Sequence, residues 1–348
     1  MGRAAPTDGR EQLRWRLADD DGGRPELLAG AERHPGRGEL AGLELLHVRA
    51  QRIINEVPAA SRMPFRWTIN PYRGCSHGCV YCFARPTHEY LGFGIGDDFD
   101  RRIVVKVNAV ERLRAELRAP RWAGEPIAMG TNTDPYQPAE GRYRLTRGIV
   151  EALTEARNPF SILTKSTLIG RDADLLAEAL RHTEVQTALS IGCLDPEVWR
   201  ATEPHTPSPR KRMETVARLN AAGVPCEVMV APVLPGISDS DAQLEEVVRA
   251  AVDAGATVIA PIALHLRGPL RDHYLRWLAG ARPELLADTR RRYRGAYAPA
   301  SERDALSARV RELVAKHGGG PRDRSGWSWR APDPAPEPDA APEQLSLL

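Results

Sequence analysis

The chain has 348 residues, with 48 Lys and Arg against 46 Asp and Glu and a formal net charge of +2. That length holds one large domain or two ordinary ones, and no stretch is apolar for long enough to span a membrane. The near-neutral charge permits a nucleic-acid partner without requiring one. Of the 48 basic residues only Lys106, Lys165, Lys211 and Lys316 are lysine, which is the imprint of a GC-rich genome or of phosphate recognition by Arg. Five cysteines, three of them clustered, and a polar, charged start with no leader pattern predict a reducing, cytoplasmic location. The cysteines then read as a ligand pattern and not as a disulfide framework.

In chain order, residues 1–60 are expected to be an N-terminal extension. They are partly disordered at the start, where Gly, Arg, Asp and Pro dominate, and partly helical over 43–57. From residue 65 short apolar runs alternate with helical patterns. The runs fall at 65–70, 126–130, 160–164, 185–191, 225–233 and 257–264. Helices are predicted over 109–119, 146–156, 172–181, 210–222, 240–254 and 270–281. Ser240 and Gln243 form a capping pair for the fifth, and Gly255 stops it. Six strand–helix alternations predict an α/β fold. It is a partial, six-unit TIM-like parallel barrel with N- and C-terminal extensions, and its working residues lie at the C-terminal strand ends. The near-continuous apolar run Cys226-Glu-Val-Met-Val-Ala-Pro-Val233 predicts strands buried on both faces. The core is assigned to 61–285, a helical and basic segment to 286–330, and a disordered acidic tail to 331–348.

Cys75, Cys79 and Cys82 have the spacing C-x3-C-x2-C in Asn70-Pro-Tyr-Arg-Gly-Cys-Ser-His-Gly-Cys-Val-Tyr-Cys82. Three thiols are one ligand short of a closed site. Zinc completed by His77 or His88, a chance cluster of buried thiols, and a 4Fe–4S cluster with one open iron all fit this pattern. Cys226, at the start of a strand, reads as core.

The triplet with Tyr81 before its third cysteine resembles the signature of the radical S-adenosylmethionine (SAM) enzymes, over roughly residues 60–280. More closely, the cysteine run, Thr131-Asn-Thr-Asp-Pro-Tyr-Gln-Pro138 and Thr164-Lys-Ser166 resemble the spore photoproduct lyase-like branch, whose members are DNA repair photolyase-type proteins. The resemblance implies that Cys75, Cys79 and Cys82 hold three irons of a 4Fe–4S cluster and that SAM chelates the fourth. An electron from a reductant such as flavodoxin or ferredoxin then cleaves SAM, and the 5′-deoxyadenosyl radical abstracts a hydrogen atom from a substrate. It further implies Tyr81 against the adenine. Thr131, Asn132 and Asp134, with Glu140 as a weaker candidate, are expected near the SAM amino group, Lys165 at its carboxylate and Ser190 at its ribose. The family's donor cysteine after the second strand is absent from Ala128-Met-Gly-Thr-Asn-Thr-Asp134, so thymine-dimer reversal is not assigned. Cys193 is the candidate hydrogen-atom donor in its place, and His205 and Arg210 are candidate substrate contacts. The substrate class is a nucleic acid in the first reading, or a peptide, tRNA or small molecule. A reading of another class is a zinc- or cluster-binding adaptor without catalysis.

Two C-terminal features point to DNA. Gln344-Leu-Ser-Leu-Leu348 resembles the motif by which bacterial repair and replication proteins bind the DNA polymerase sliding clamp. The run Arg322-Asp-Arg-Ser-Gly-Trp-Ser-Trp-Arg330 interleaves Trp327 and Trp329 with Arg, either to stack bases or to dock the segment on the barrel.

Overall fold

The computed structural model describes residue 28, residues 30–58 and residues 63–320. The strands, in chain order, are β1 (Glu32–Pro35), β2 (Glu44–Val48), β3 (Ile54–Glu56), β4 (Trp67–Ile69), β5 (Tyr72–Arg73), β6 (Arg102–Lys106), β7 (Ile127–Met129), β8 (Phe160–Thr164), β9 (Val185–Ser190), β10 (Cys226–Val233) and β11 (Ile259–Ala263). The main sheet runs β11-β10-β9-β8-β7-β4-β3. From β4 to β11 every pair is parallel, and only β3 joins antiparallel, on the outer edge of β4. The six parallel strands are the six apolar runs of the sequence, and helices connect them, as in an open barrel.

Strands β8, β9 and β10 are not buried on both faces. In β8, β9 and β10 buried and half-buried residues alternate. The buried set, including Ile162, Leu189, Val228 and Val230, shares one core with Leu153, Leu176, Val216 and Val247 of the surrounding helices. The alternate set, including Leu163, Ala188 and Met229, turns to the concave side and is only half-buried. An incompletely filled interior is what a barrel with a central site requires.

The N-terminal part differs from expectation. Residues 43–57, expected as helix, form β2 and β3, and β1 pairs antiparallel with β2. With β6 and β5 these build a second sheet in the order β1-β2-β6-β5. Leu46 and Val48 pack on one side with Val104, and Leu45 packs on the other with Ile103 and Val105. A strand apolar on both faces loses its period of two, and a short apolar run of that kind reads equally as helix.

The helix Asp241–Asp253 is capped as expected. The Ser240 hydroxyl accepts from Gln243 N, while the Gln243 side chain meets that hydroxyl at 2.8 Å. At the C-terminal side, the helix Ala300–Lys316 places Leu306 and Val310 in the same core as the parallel strands. The expected boundary at 285 therefore does not divide the core. Residues 1–27, the segment 322–330 and the tail 331–348, with its terminal Gln344–Leu348 motif, lie outside the described residues. No helix of the described residues is long and apolar enough to cross a membrane.

Candidate active site

The cysteine loop begins where β5 leaves the second sheet, and both sheets hold it. Gly74 has φ +76°, and a Cβ there would lie 2.8 Å from Phe99 O and 2.9 Å from Arg102 O. Only glycine fits. The Gly74 carbonyl accepts from Thr133 Oγ1 at 2.6 Å and from Gln137 Nε2 at 3.1 Å, and Gln137 Oε1 takes the Ser76 N–H. The buried Arg85 donates through Nε to Cys79 O and through Nη2 to both oxygens of Asp100. The segment after β9 covers the loop. Val80 N donates to Thr202 O, His205 N donates to His77 O, and the His205 ring lies 3.2 Å from where a Gly78 Cβ would be.

Cys75 and Cys79 are buried and Cys82 is half-buried, all as free thiols. Burial pushes each thiol above its ordinary pKa, Cys75 being raised further by Asp134 and Cys79 by Glu203. Three such groups deprotonate together only when a cationic centre compensates them. The donors are not gathered for a single ion. His77 Nδ1 lies 3.3 Å from Asp134 Oδ2, and His88 Nε2 donates to Arg102 O at 3.0 Å. Among the described residues, the set of His, Cys and carboxylate donors lying within 4.8 Å of one another is Glu32, His34 and His47, on β1 and β2. With His77 and His88 engaged elsewhere, the three-cysteine seat, with the unpartnered buried hydroxyl of Ser76 between two of its cysteines, fits a 4Fe–4S core and not a Cys3His zinc.

Beside this loop a narrow crevice is lined by Tyr81, Cys193, Thr202, Glu203, Pro232 and Ser238, among others. Lys165, just past β8, donates from Nζ to Ser190 Oγ at 2.6 Å, lies 3.8 Å from Glu203 Oε1, and sits 5.6 Å from the centre of the Tyr81 ring. Ser190 Oγ donates to Ala231 O at 2.7 Å. Tyr81 donates to Glu203 Oε1, and Arg212 Nη2 donates to Glu203 Oε2. Burial alone would raise the Glu203 carboxyl, but Arg212 and Lys165 outweigh it and hold it below the ordinary value. Burial and Glu203 push the Tyr81 phenol well up, so it remains a donor. Thus Tyr81, Lys165, Ser190 and Cys193, four residues far apart in sequence, meet around one carboxylate.

Asp134 is placed differently. Oδ1 accepts from Thr164 Oγ1 at 2.6 Å and Tyr136 N at 2.9 Å, and Oδ2 accepts from Lys165 N at 2.8 Å and faces His77. Burial would raise it, but His77 and these donors hold it low. Thr131 and Asn132 are tied to the Asn70 side chain at the end of β4. Glu140 leaves the candidate set. Its buried carboxylate accepts from Tyr72 Oη, Thr146 N, Arg147 N and Arg171, so it joins helix to sheet. Arg210 also departs, because it is exposed and faces Glu246 at 3.4 Å. His205 is a lid on the cysteine loop. Cys226 is fully buried in the core, as expected.

Sequence reasoning missed Glu203, Arg212, Thr133 and Gln137. Thr133 and Gln137 stand inside the quoted run 131–138, and Glu203 opens the run in which His205 and Arg210 were preferred. Arg212 carries no signal in a chain so rich in Arg.

Residues 69–251 match the Radical SAM superfamily. The uncharacterized protein Rv2578c of Mycobacterium tuberculosis is 46% identical over 331 residues, covering 94% of this chain and 96% of its own. A radical SAM Nalpha-GlyT isomerase of Pseudomonas phage M6 is 28% identical over 173 residues, 49% of this chain and 34% of that one. Among solved structures, spore photoproduct lyase complexed with dinucleoside spore photoproduct superposes with a TM-score of 0.58 at 19% identity, covering 81% of this chain and 84% of that one. With the cysteine loop at the mouth of a six-stranded parallel barrel, these likenesses make the chain a radical SAM enzyme, a member of a superfamily that uses a 4Fe–4S cluster, SAM and a reductant.

Proposed function

We propose that this radical SAM enzyme abstracts hydrogen from a nucleic-acid substrate, in a repair- or modification-type reaction. The observation that carries the site assignment is the meeting of Tyr81 and Lys165 at Glu203, with Ser190 bonded to Lys165 and Cys193 lining the crevice that Tyr81 and Glu203 also line, beside the cysteine loop. The nucleic-acid class is supported by the quoted motifs and by the shared fold of a lyase solved with a dinucleoside lesion.

The three cysteines would hold the cluster, which supplies the electron that cleaves bound SAM. The protein's own share is placement and exclusion of water. Lys165 Nζ has three N–H donors, of which Ser190 takes one, and the remainder suit the SAM carboxylate. Ser190 and Tyr81 both contact Lys165 and are the candidates for the ribose and the adenine. Thr131 and Asn132, just past β7 and held by Asn70, are the candidates for the SAM amino group. Asp134, with its oxygens already engaged, aligns the loops after β7 and β8 and acts on SAM only through them. Burial and Glu203 push the Cys193 thiol up to about 12, so at neutral pH it keeps the S–H bond that a hydrogen-atom donor needs. A flavodoxin or ferredoxin in the cytoplasm is the reductant in this reading. DNA and, through Gln344–Leu348, the polymerase sliding clamp are its partners.

Anaerobic reconstitution tests the reading. The brown protein should release 5′-deoxyadenosine on reduction, and faster when DNA carrying a modified base is present. A colourless protein with stoichiometric zinc overturns the enzyme, and release stimulated only by peptides overturns the substrate class. Cys193→Ala should keep SAM cleavage but lose hydrogen return to the substrate, seen as altered deuterium content of the product. Removal of residues 344–348 should abolish clamp binding, and clamp binding that survives the deletion rejects the motif.

A further inference from the structure

Three aromatic rings run outward from the cysteine loop. Phe83 directly follows Cys82, His265 lies two residues past the end of β11, and Tyr297 lies on the loop between the helices Leu286–Arg292 and Ala300–Lys316. The Phe83 and His265 ring centres are 5.6 Å apart with planes at 37°, and those of His265 and Tyr297 are 5.8 Å apart at 30°. Both pairs are in tilted ring contact, within the range over which aromatic rings interact. The backbone holds the far end in place, because His265 bridges antiparallel to Tyr297 and Leu266 N donates to Ala296 O at 2.7 Å.

Phe83 and Tyr297 remain 45% and 49% exposed, so the run ends in open aromatic surface on both sides of the half-buried His265. Burial, then Arg267, lowers the His265 pKa, so the middle ring is neutral. Two guanidiniums border the outer ring. Arg267 and Arg303 each lie 5.8 Å from the Tyr297 centre, and Arg267 Nη2 also donates to Tyr297 Oη at 2.8 Å. A purely aliphatic partner gains nothing from those guanidiniums, whereas a strand of planar bases joined by phosphates uses both the rings and the charge.

We propose that Phe83, His265 and Tyr297, bordered by Arg267 and Arg303, form a stacking platform for unpaired bases of a nucleic-acid strand. The strand approaches the cleft across the edge of the barrel at β11. This rests on the nucleic-acid reading above and specifies it: the substrate is bound single-stranded or with a base out of its helix. The bases lie against the open rings, while the guanidiniums take the phosphates.

The test uses the full-length, cluster-loaded protein and single-stranded oligonucleotides containing 2-aminopurine. Phe83→Ala and Tyr297→Ala should each weaken binding about 5- to 100-fold. Quenching of 2-aminopurine should be lost in Tyr297→Ala, while Tyr297→Phe retains both. Joint replacement Arg267→Gln and Arg303→Gln leaves the rings in place and should reduce the salt slope of binding by about 0.7 per lost phosphate contact. Alanine variants that bind and quench as the wild type does overturn the platform and leave the nucleic-acid reading standing. A wild-type protein that binds no oligonucleotide overturns that reading, and the platform with it.

Discussion

The two sides of the barrel mouth hold similar groups in opposite ways. On one side the Asp134 carboxylate has donors on both oxygens, all supplied by the chain: a hydroxyl, two backbone N–H groups and a facing imidazole. On the other side the Lys165 ammonium makes one short bond, to Ser190, and stands 3.8 Å from Glu203 at the cleft. Both are charged and largely buried, but only the second has donors to spare. A group whose bonding capacity the protein uses up is scaffold, and one left short of partners in a cleft is receptor. Position in a motif does not separate the two, since Asp134 and Lys165 both follow strand ends.

The largest effect comes from the loop both sides serve. Cys79→Ala should abolish the cluster's visible absorbance after reconstitution and 5′-deoxyadenosine release with it, while the chain still folds. A variant that cleaves SAM at the wild-type rate would mean that the loop does not hold the cluster.

Asp134→Ala should come next. It strips partners from Thr164 Oγ1, two backbone N–H groups and His77, all at the junction of two loops. Removing one member of such a buried network costs about 3–5 kcal/mol. Urea unfolding should report that loss directly. Lys165→Met should cost less than Asp134→Ala, because Ser190 keeps its bond to Ala231 O and Glu203 keeps Arg212 and Tyr81. Its loss should appear instead as a KM for SAM raised tenfold or more, with the cluster intact. If Lys165→Met destabilises as much as Asp134→Ala and leaves KM unchanged, scaffold and receptor are not distinct.

The same distinction explains what could be read from the sequence. Cysteine is rare here, so three in eight residues stand out, and the six parallel strands announce themselves through the helical patterns between them, of which Asp241–Asp253 carries a readable cap. β2 does not, because Leu45, Leu46 and Val48 are apolar toward both of its neighbours and the alternation is erased. Lys165 was legible within Thr164-Lys-Ser166, and Ser190 as the end of the fourth apolar run. Glu203 and Arg212 were not, since a buried ion pair looks like any Glu and Arg until folding removes the water around them. Asp134 was found as a candidate contact to the SAM amino group, and the structure gives its oxygens to Thr164, Tyr136 N, Lys165 N and His77. Its type and position predict a ligand contact equally well, and only the geometry shows that its lone pairs are already used.

The smallest effect tests the scaffold side by pH. His88 is fully buried behind Gly74, donates from Nε2 to Arg102 O, and leaves Nδ1 without a partner. Burial lowers its pKa to about 4, although the bond to Arg102 works the other way. In the unfolded chain the imidazole titrates near its ordinary value of about 6.5. Between those two values the unfolded chain binds a proton that the folded chain refuses, so stability falls as pH drops through that window. Above about 6.5 neither state takes the proton and the contribution is flat. The full window is worth roughly 3 kcal/mol at most. His88→Gln keeps an N–H donor for Arg102 O but cannot titrate. It should be less stable than the wild type at pH 7, and the gap should narrow at pH 5. Urea midpoints for both chains at the two pH values measure this, and a gap that stays constant shows that the ring is not held neutral by the scaffold around the cysteine loop.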